Sequence, residues 1–263
     1  MHLSEEVTSL NYYEQGSGPV LVLLHGLGLD RRIWLPIAQT CSSYMRIIMP
    51  DLRGHGLSDS PEGIYTMNDM AMDLKQLLDK LSIERIVLAG HSMGGYVALA
   101  FAHKHPEFLD GLILVTTNAD EDPPEKRESR VQLAKEIEQK GSIAMADSLA
   151  NRLTNDPILI SKMHDLIRRT TPKGLIGSSL GMAERKDMHQ TLRCLTCPIL
   201  IIAGERDKIT SLDTSQDLLN TCQSGEMVII PNAGHLPMME EPDLMSKAIL
   251  TFLKAKNLLG SRY

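Results

Sequence analysis

The stretch with the greatest capacity for chemistry is Gly90-His91-Ser92-Met93-Gly94, which has the spacing G-x-S-x-G. A serine hydroxyl is a weak nucleophile until a base within hydrogen-bond reach takes its proton. Far along the chain, Asn232-Ala-Gly-His235 offers an imidazole that could take that proton and return it to a leaving group. Gly204-Glu-Arg-Asp207 offers a carboxylate that could hold the other ring N–H and stabilise the imidazolium. An alcohol, an imidazole and a carboxylate acting together suit attack on a carbonyl carbon. They need neither a metal nor a cofactor, and none is expected.

These three side chains are far apart in sequence, so the elements around them must bring them together. Ile86-Val-Leu-Ala89 is a short apolar run, which predicts a strand buried on both faces. Gly94-Gly95 opens an apolar segment that reads as a helix to His105, where Pro106 stops it. A strand turning sharply into a helix through this pattern sets the serine on a strained, exposed bend. Glycine is needed on both sides because a Cβ there would collide with a neighbouring element. Without those flanks the pattern would be a glycine-rich turn holding an incidental serine.

Further strands are predicted at 20–24, 46–49, 112–115, 198–203 and 227–230. The alternation of Val7, Leu10, Tyr12 and Tyr13 predicts an edge strand and turn over 7–15. Helices are predicted at 31–40, at 66–81 with Thr66 as N-cap, near 211–220 and at 242–256. Strands alternating with helices imply an α/β fold with a mostly parallel sheet wrapped by helices. In such sheets the positions just past the strands' C-terminal ends share one edge, where ligands bind. Four such positions here are His25-Gly26-Leu27, Ser92, Asp207 and His235.

Between 118 and 190 the composition changes. Asn118 to Arg130 is charged and proline-bearing, and helical segments follow at about 125–140, 142–153, 157–169 and 172–185, with no strand signal. This predicts a helical cap, 118–190, inserted into a core made of 1–117 and 191–263.

Composition excludes several classes. At 263 residues with a net charge of −6 and no basic stretch, nucleic-acid binding is not expected. Met1 to Val7 lacks a charged-then-apolar signal pattern, and no apolar run approaches the ~20 residues that cross a bilayer. A cytoplasmic protein without a membrane span is expected. Cys194-Leu-Thr-Cys197 has the spacing of a redox or zinc pair, but no second pair accompanies it, so it reads as part of a loop. Among the nine histidines, His25, His55 and His91 read as packing or turn residues. Asp120 rivals Asp207 as the acid, but it lies in a charged, solvated run. Trp34 and the methionines Met93 and Met238 could border a pocket or could simply fill core.

Taken together, His25-Gly26, Asp51-Leu-Arg-Gly-His-Gly-Leu-Ser-Asp59, Gly90-His-Ser-Met-Gly-Gly95, Gly204-Glu-Arg-Asp207 and Asn232-Ala-Gly-His235 resemble the α/β-hydrolase superfamily. The resemblance is to its serine carboxylesterase and enol-lactonase-like branch. It runs from about residue 12 to 256 and covers 118–190 only loosely. It implies an α/β-hydrolase fold with a small helical cap and a Ser92–Asp207–His235 triad. It also implies an oxyanion hole made by the Leu27 and Met93 backbone N–H groups, with Trp34 and Met238 beside the substrate.

The implied activity is hydrolysis of carboxylic esters with small to medium acyl chains, through an acyl-enzyme. A serine nucleophile argues against the haloalkane dehalogenase and epoxide hydrolase branches, which use aspartate. The short cap, with Thr171-Pro172-Lys-Gly174 opening a helix, also resembles the enol-lactone hydrolases. Perhydrolase, carbon–carbon bond hydrolase and slow-turnover ligand sensor remain alternatives on the same fold. The expected partner is a small-molecule ester or lactone; oligomeric state is not readable from these residues.

Overall fold

The computed structural model describes residues 8–259. Val7, part of the expected edge strand, and the Met1–Val7 segment read for a signal lie outside these residues. The strands are β1 (Tyr12–Gln15), β2 (Val20–Leu24), β3 (Arg46–Pro50), β4 (Ile86–His91), β5 (Leu109–Val115), β6 (Ile199–Gly204) and β7 (Gly225–Ile230). They form one sheet in the order β1-β3-β2-β4-β5-β6-β7. Only β1 runs antiparallel, against β3.

Early in the chain come α1 (Leu35–Cys41), α2 (Met67–Lys80) and α3 (Met93–Lys104). Between β5 and β6 lie α4 (Pro124–Lys140), α5 (Ile143–Leu153), α6 (Pro157–Arg169), α7 (Pro172–Ala183) and α8 (His189–Cys194). The chain continues through α9 (Leu212–Thr221), α10 (Pro237–Glu240) and α11 (Pro242–Ala255). Among the described residues no helix is long and apolar enough to cross a membrane.

The alternation of side chains along each central strand sorts them onto two cores. Leu21, Leu23, Val87, Ala89, Ile113, Val115, Leu200 and Ile202 face one side, with α1 and α11. Val22, Leu24, Ile86, Leu88, Leu112, Leu114, Ile199 and Ile201 face the other, with α2, α3 and α9. Burial of both faces explains why these strands read as unbroken apolar runs rather than as alternating ones. The edge strands β1 and β7 keep exposed positions. α2 opens on a capping box: the Asp69 N–H donates to Thr66 Oγ1 at 3.1 Å and the Thr66 N–H donates to the Asp69 carboxylate at 2.9 Å.

The predicted helix at 31–40 is instead a 3₁₀ turn, Arg31–Trp34, running into α1. Pro36 has no N–H to donate back to the Arg32 carbonyl, so a continuous α-helix cannot pass through it. The single-turn helices α8 and α10 gave no periodic signal, being too short to show one.

The helices between β5 and β6 share the main core. Met145, Ala150 and Leu153 of α5, Met163, Leu166 and Ile167 of α6, and Leu175 of α7 all belong to the cluster on the α1–α11 side. An ion network within this segment centres on Asp122, which is fully enclosed. Its carboxylate meets Arg130, and Arg185 Nη1 at 2.5 Å. Burial alone would push the Asp122 carboxyl up, yet the two guanidinium groups hold it below the usual carboxylate range. Asp122→Ala would leave Arg185, only 4% exposed at its side chain, without its buried counter-charge. The expected loss is about 3–5 kcal/mol of unfolding free energy, measured by urea denaturation.

Candidate active site

Ser92 stands where β4 ends and α3 begins, with φ 51° and ψ −116°. A left-handed serine of this kind costs about 1–3 kcal/mol and persists only where its surroundings impose it. Here they do so through close backbone approach. A Cβ on Gly90 would lie 2.3 Å from the Gly94 carbonyl oxygen, and one on Gly94 would lie 2.5 Å from the Leu24 carbonyl oxygen. The first turn of α3 is thus pressed onto the ends of β4 and β2. The Ser92 N–H donates to the Val115 carbonyl at 3.0 Å, and Thr117 Oγ1 donates to the Ser92 carbonyl at 2.8 Å. The end of β5 therefore holds the bend from the other side.

His235 follows β7 and Asp207 follows β6. Their side chains meet with His235 Nδ1 2.8 Å from Asp207 Oδ2, and both are 1% exposed. The other Asp207 oxygen accepts the N–H groups of Ile209 at 2.7 Å and Thr210 at 3.1 Å. The carboxylate is thereby fixed from both ends, and its contact with Nδ1 makes that nitrogen the donor. Nε2 of His235 is left as the proton acceptor.

His235 is joined to the serine turn through its backbone. Its carbonyl accepts from His91 Nε2 at 2.9 Å and from Thr116 Oγ1 at 3.1 Å, and the His91 and His235 rings lie 5.0 Å apart. The Ser92 hydroxyl makes no hydrogen bond among the described residues.

The loop after β2 approaches the same turn. A Cβ on Gly26 would lie 3.3 Å from the Ser92 Cβ and 2.8 Å from His91 Nδ1, so only glycine lets this loop come so near. The Leu27 N–H donates to no acceptor among the described residues. The Met93 N–H is the first of α3 and so has no intrahelical acceptor. Both groups are of the kind that can receive an oxyanion.

Two buried histidines brace this loop. His25 Nδ1 donates to the Gly26 carbonyl at 2.8 Å, and its Nε2 accepts the Leu52 N–H at 2.9 Å. His55 Nδ1 donates to the Arg53 carbonyl at 3.0 Å, and its Nε2 accepts the Gly28 N–H at 3.1 Å. Burial pushes His25 down to about 4; burial, with His25 beside it, pushes His55 down to about 3. Burial and the nearby His235 also push His91 well below its usual range. The reading of these rings as braces agrees with their contacts, but nothing in the sequence pointed to the bond from His55 to Gly28. Thr116 and Thr117 were likewise missed, since a threonine after a strand carries no distinguishing local signal.

Trp34 and Met238 are fully buried and share the core cluster on the α1–α11 side. The Trp34 ring meets His91 edge-on at 6.5 Å, and its indole N–H has no partner among the described residues. Asp120 points elsewhere: it is exposed, and its carboxylate lies 3.8 Å from His189 at the surface. The Cys194–Cys197 pair is split between the end of α8 and a loop, and burial pushes the Cys197 thiol up to about 11.

The sequence pattern of the alpha/beta hydrolase fold family matches residues 19–242. The chain belongs to the α/β-hydrolase family. It is 38% identical to a thermophilic esterase from Thermogutta terrifontis, solved with malate bound, with a TM-score of 0.92 over 95% of this chain and 94% of that one. The enol-lactonase of Burkholderia xenovorans is 27% identical, with a TM-score of 0.87 over 95% and 98%. The 2-(acetamidomethylene)succinate hydrolase of Mesorhizobium japonicum is 29% identical, over 94% of this chain and 92% of its own length.

The buried neutral histidines have a consequence for stability. Well above pH 6.5 they are neutral in both the folded and the unfolded chain and contribute no pH dependence. As pH falls below 6.5 the unfolded chain binds protons that folded His25 and His55 refuse. Stability is therefore lost from pH 6.5 down towards 4 for His25 and 3 for His55. Each ring is expected to remove about 2 kcal/mol between pH 7.5 and 5. His55→Gln keeps an acceptor for the Gly28 N–H but does not titrate. Its urea-unfolding free energy should show a pH dependence shallower by that amount; an unchanged slope would contradict the assignment.

Proposed function

We propose that this α/β hydrolase is a serine esterase acting on carboxylic esters of small to medium acyl chains. The observation that carries the reading is the enclosed contact between His235 and Asp207, which leaves His235 Nε2 as a proton acceptor beside the serine turn. Ser92 attacks the ester carbonyl as its proton passes to Nε2, and Asp207 stabilises the resulting imidazolium. The oxyanion of the tetrahedral intermediate is held by the Leu27 and Met93 N–H groups. Losing one such donor typically costs ~10²–10³ in rate. The imidazolium returns its proton to the departing alcohol, leaving Ser92 acylated. Water, activated by the same ring, then releases the acid.

In this reading residues 118–190 act as a cap over a core made of 1–117 and 191–263. The support is contact with the loop after β2: Thr170 Oγ1 donates to the Gly28 carbonyl at 3.2 Å, and a Cβ on Gly28 would meet Ile167 at 3.2 Å and Leu175 at 3.5 Å. In the same reading Trp34, whose ring meets His91, and the buried Met238 lie on the substrate side of the site. A lactone substrate is the second reading, favoured by the likeness along nearly the whole chain to the Burkholderia xenovorans enol-lactonase. The chemistry is the same, except that the alcohol produced stays tethered to the acyl group.

A series of p-nitrophenyl esters from acetate to decanoate, run beside a lactone panel, separates these readings. Steady turnover that falls with chain length is expected, and Ser92→Ala should abolish both turnover and covalent labelling by a fluorophosphonate. Asp207→Asn should lower kcat strongly, by up to about 10⁴, whereas Asp120→Asn should leave it unchanged. Near-full activity in Ser92→Ala would end this reading, and turnover limited to single cycles per hour on every substrate would favour a ligand sensor.

A further inference from the structure

The contacts around the His235 backbone involve a residue with no role so far. We propose that Glu240 is a positioning residue for the base; the inference rests on the reading of His235 as that base. Oε2 of Glu240 accepts the N–H groups of Gly234 at 2.8 Å and Leu236 at 3.1 Å, the two residues on either side of His235. Oε1 accepts the hydroxyl of Thr154 at 2.6 Å. The His235 N–H itself donates to the Leu153 carbonyl at 3.0 Å.

Three successive N–H groups are therefore held, two by one carboxylate and one by the end of α5. The carbonyl of His235 is held twice more, by His91 and Thr116. The remaining freedom of the imidazole is rotation about its own side-chain bonds, and Asp207 removes it. Glu240 does not touch the ring in any contact seen here. It acts by setting where the ring starts, with hydrogen bonds that are stronger for carrying a full charge.

The geometry is local and tight. Glu240 closes the single turn of α10, which starts at Pro237 just after the histidine, so its carboxylate folds back over the loop it follows. A Cβ on Gly234 would lie 3.2 Å from Glu240 Oε1 and 3.4 Å from the Leu153 carbonyl oxygen, so glycine there leaves room for the clamp. Thr154 stands just past α5, so the clamp also fastens the helical segment between β5 and β6 to the loop of the base. The position of His235 thus depends on two parts of the chain that are remote in sequence.

The test uses the full-length protein and p-nitrophenyl butyrate, with kcat and KM measured separately. A displacement of about 1 Å in a reacting group can cost about 10²-fold in rate. Glu240→Ala is expected to lower kcat by about that factor while KM stays within about threefold. Glu240→Gln keeps an amide oxygen for the two N–H groups, and the Thr154 hydroxyl can turn to accept from its NH₂; most of kcat should return. The downfield proton resonance expected for the His235–Asp207 bond should weaken in Glu240→Ala and persist in Glu240→Gln.

Thr154→Val removes only the anchor from α5 and serves if Glu240→Ala does not fold; a several-fold fall in kcat at unchanged KM is expected. A kcat near wild type in a folded Glu240→Ala, a Glu240→Gln as impaired as the alanine, or an unchanged kcat in Thr154→Val would each overturn the proposal. Ser92→Ala run alongside separates the two ideas. If it is inactive while Glu240→Ala matches wild type, only the positioning role fails; if it is active, the reading of the site fails first.

Discussion

The structure depends on how closely the start of α3 can sit on the ends of β2 and β4. A Cβ at Gly90 or Gly94 would lie well inside contact distance of backbone oxygen, and such a clash cannot be relieved by turning a side chain. That approach forces the left-handed backbone of Ser92 and lifts its side chain from the sheet edge. Every other part of the candidate site is arranged around this bend: the glycine loop after β2, the threonines after β5, and the loops after β6 and β7.

Buried neutral histidines make up much of the surrounding framework. His25 and His55 each bind backbone groups through both ring nitrogens, which fixes their tautomers, and His91 donates through Nε2 to the His235 carbonyl. An imidazole is rigid and offers a donor and an acceptor at a fixed separation, so it can bridge two loops that lack secondary structure. Burial keeps these rings neutral. His235 differs in its partner: a carboxylate on Nδ1 rather than a carbonyl, the arrangement that can stabilise a positive ring. The chemical distinction among these histidines lies in what each one faces.

The helices between β5 and β6 are joined to the rest of the molecule at several kinds of contact. Apolar residues from α5, α6 and α7 enter the main core, and Arg185, paired with Asp122 inside the segment, lies over the Tyr96 ring of α3 at 4.2 Å. Thr170 bonds the loop after β2, and Leu153 bonds His235. A segment anchored in this way steadies the loops after β2 and β7 that it bonds.

The local order of the chain was legible from sequence because it follows from local physics. Apolar runs such as Ile86–Ala89 mark buried strands, Thr66 marks a helix start, and the glycines around Ser92 mark a bend that admits no side chain. With strand–helix alternation these were enough for the sheet and its helical layers, and the resemblance of the motifs from His25-Gly26 to Asn232–His235 gave the α/β-hydrolase family. The 3₁₀ turn at Arg31–Trp34 departed from expectation because one missing N–H, that of Pro36, outweighed apolar spacing. What tertiary structure decided was adjacency. Asp207 and Asp120 are both acids past a strand, and only the packed sheet edge brings the first to His235 and leaves the second at the surface. The same holds for Glu240, Thr154 and the bond from His55 to Gly28: each joins groups whose separation in the chain says nothing of their separation in space. A hydrogen bond acts over about 3 Å, so sequence can supply its donor and acceptor while only the fold can bring them within reach.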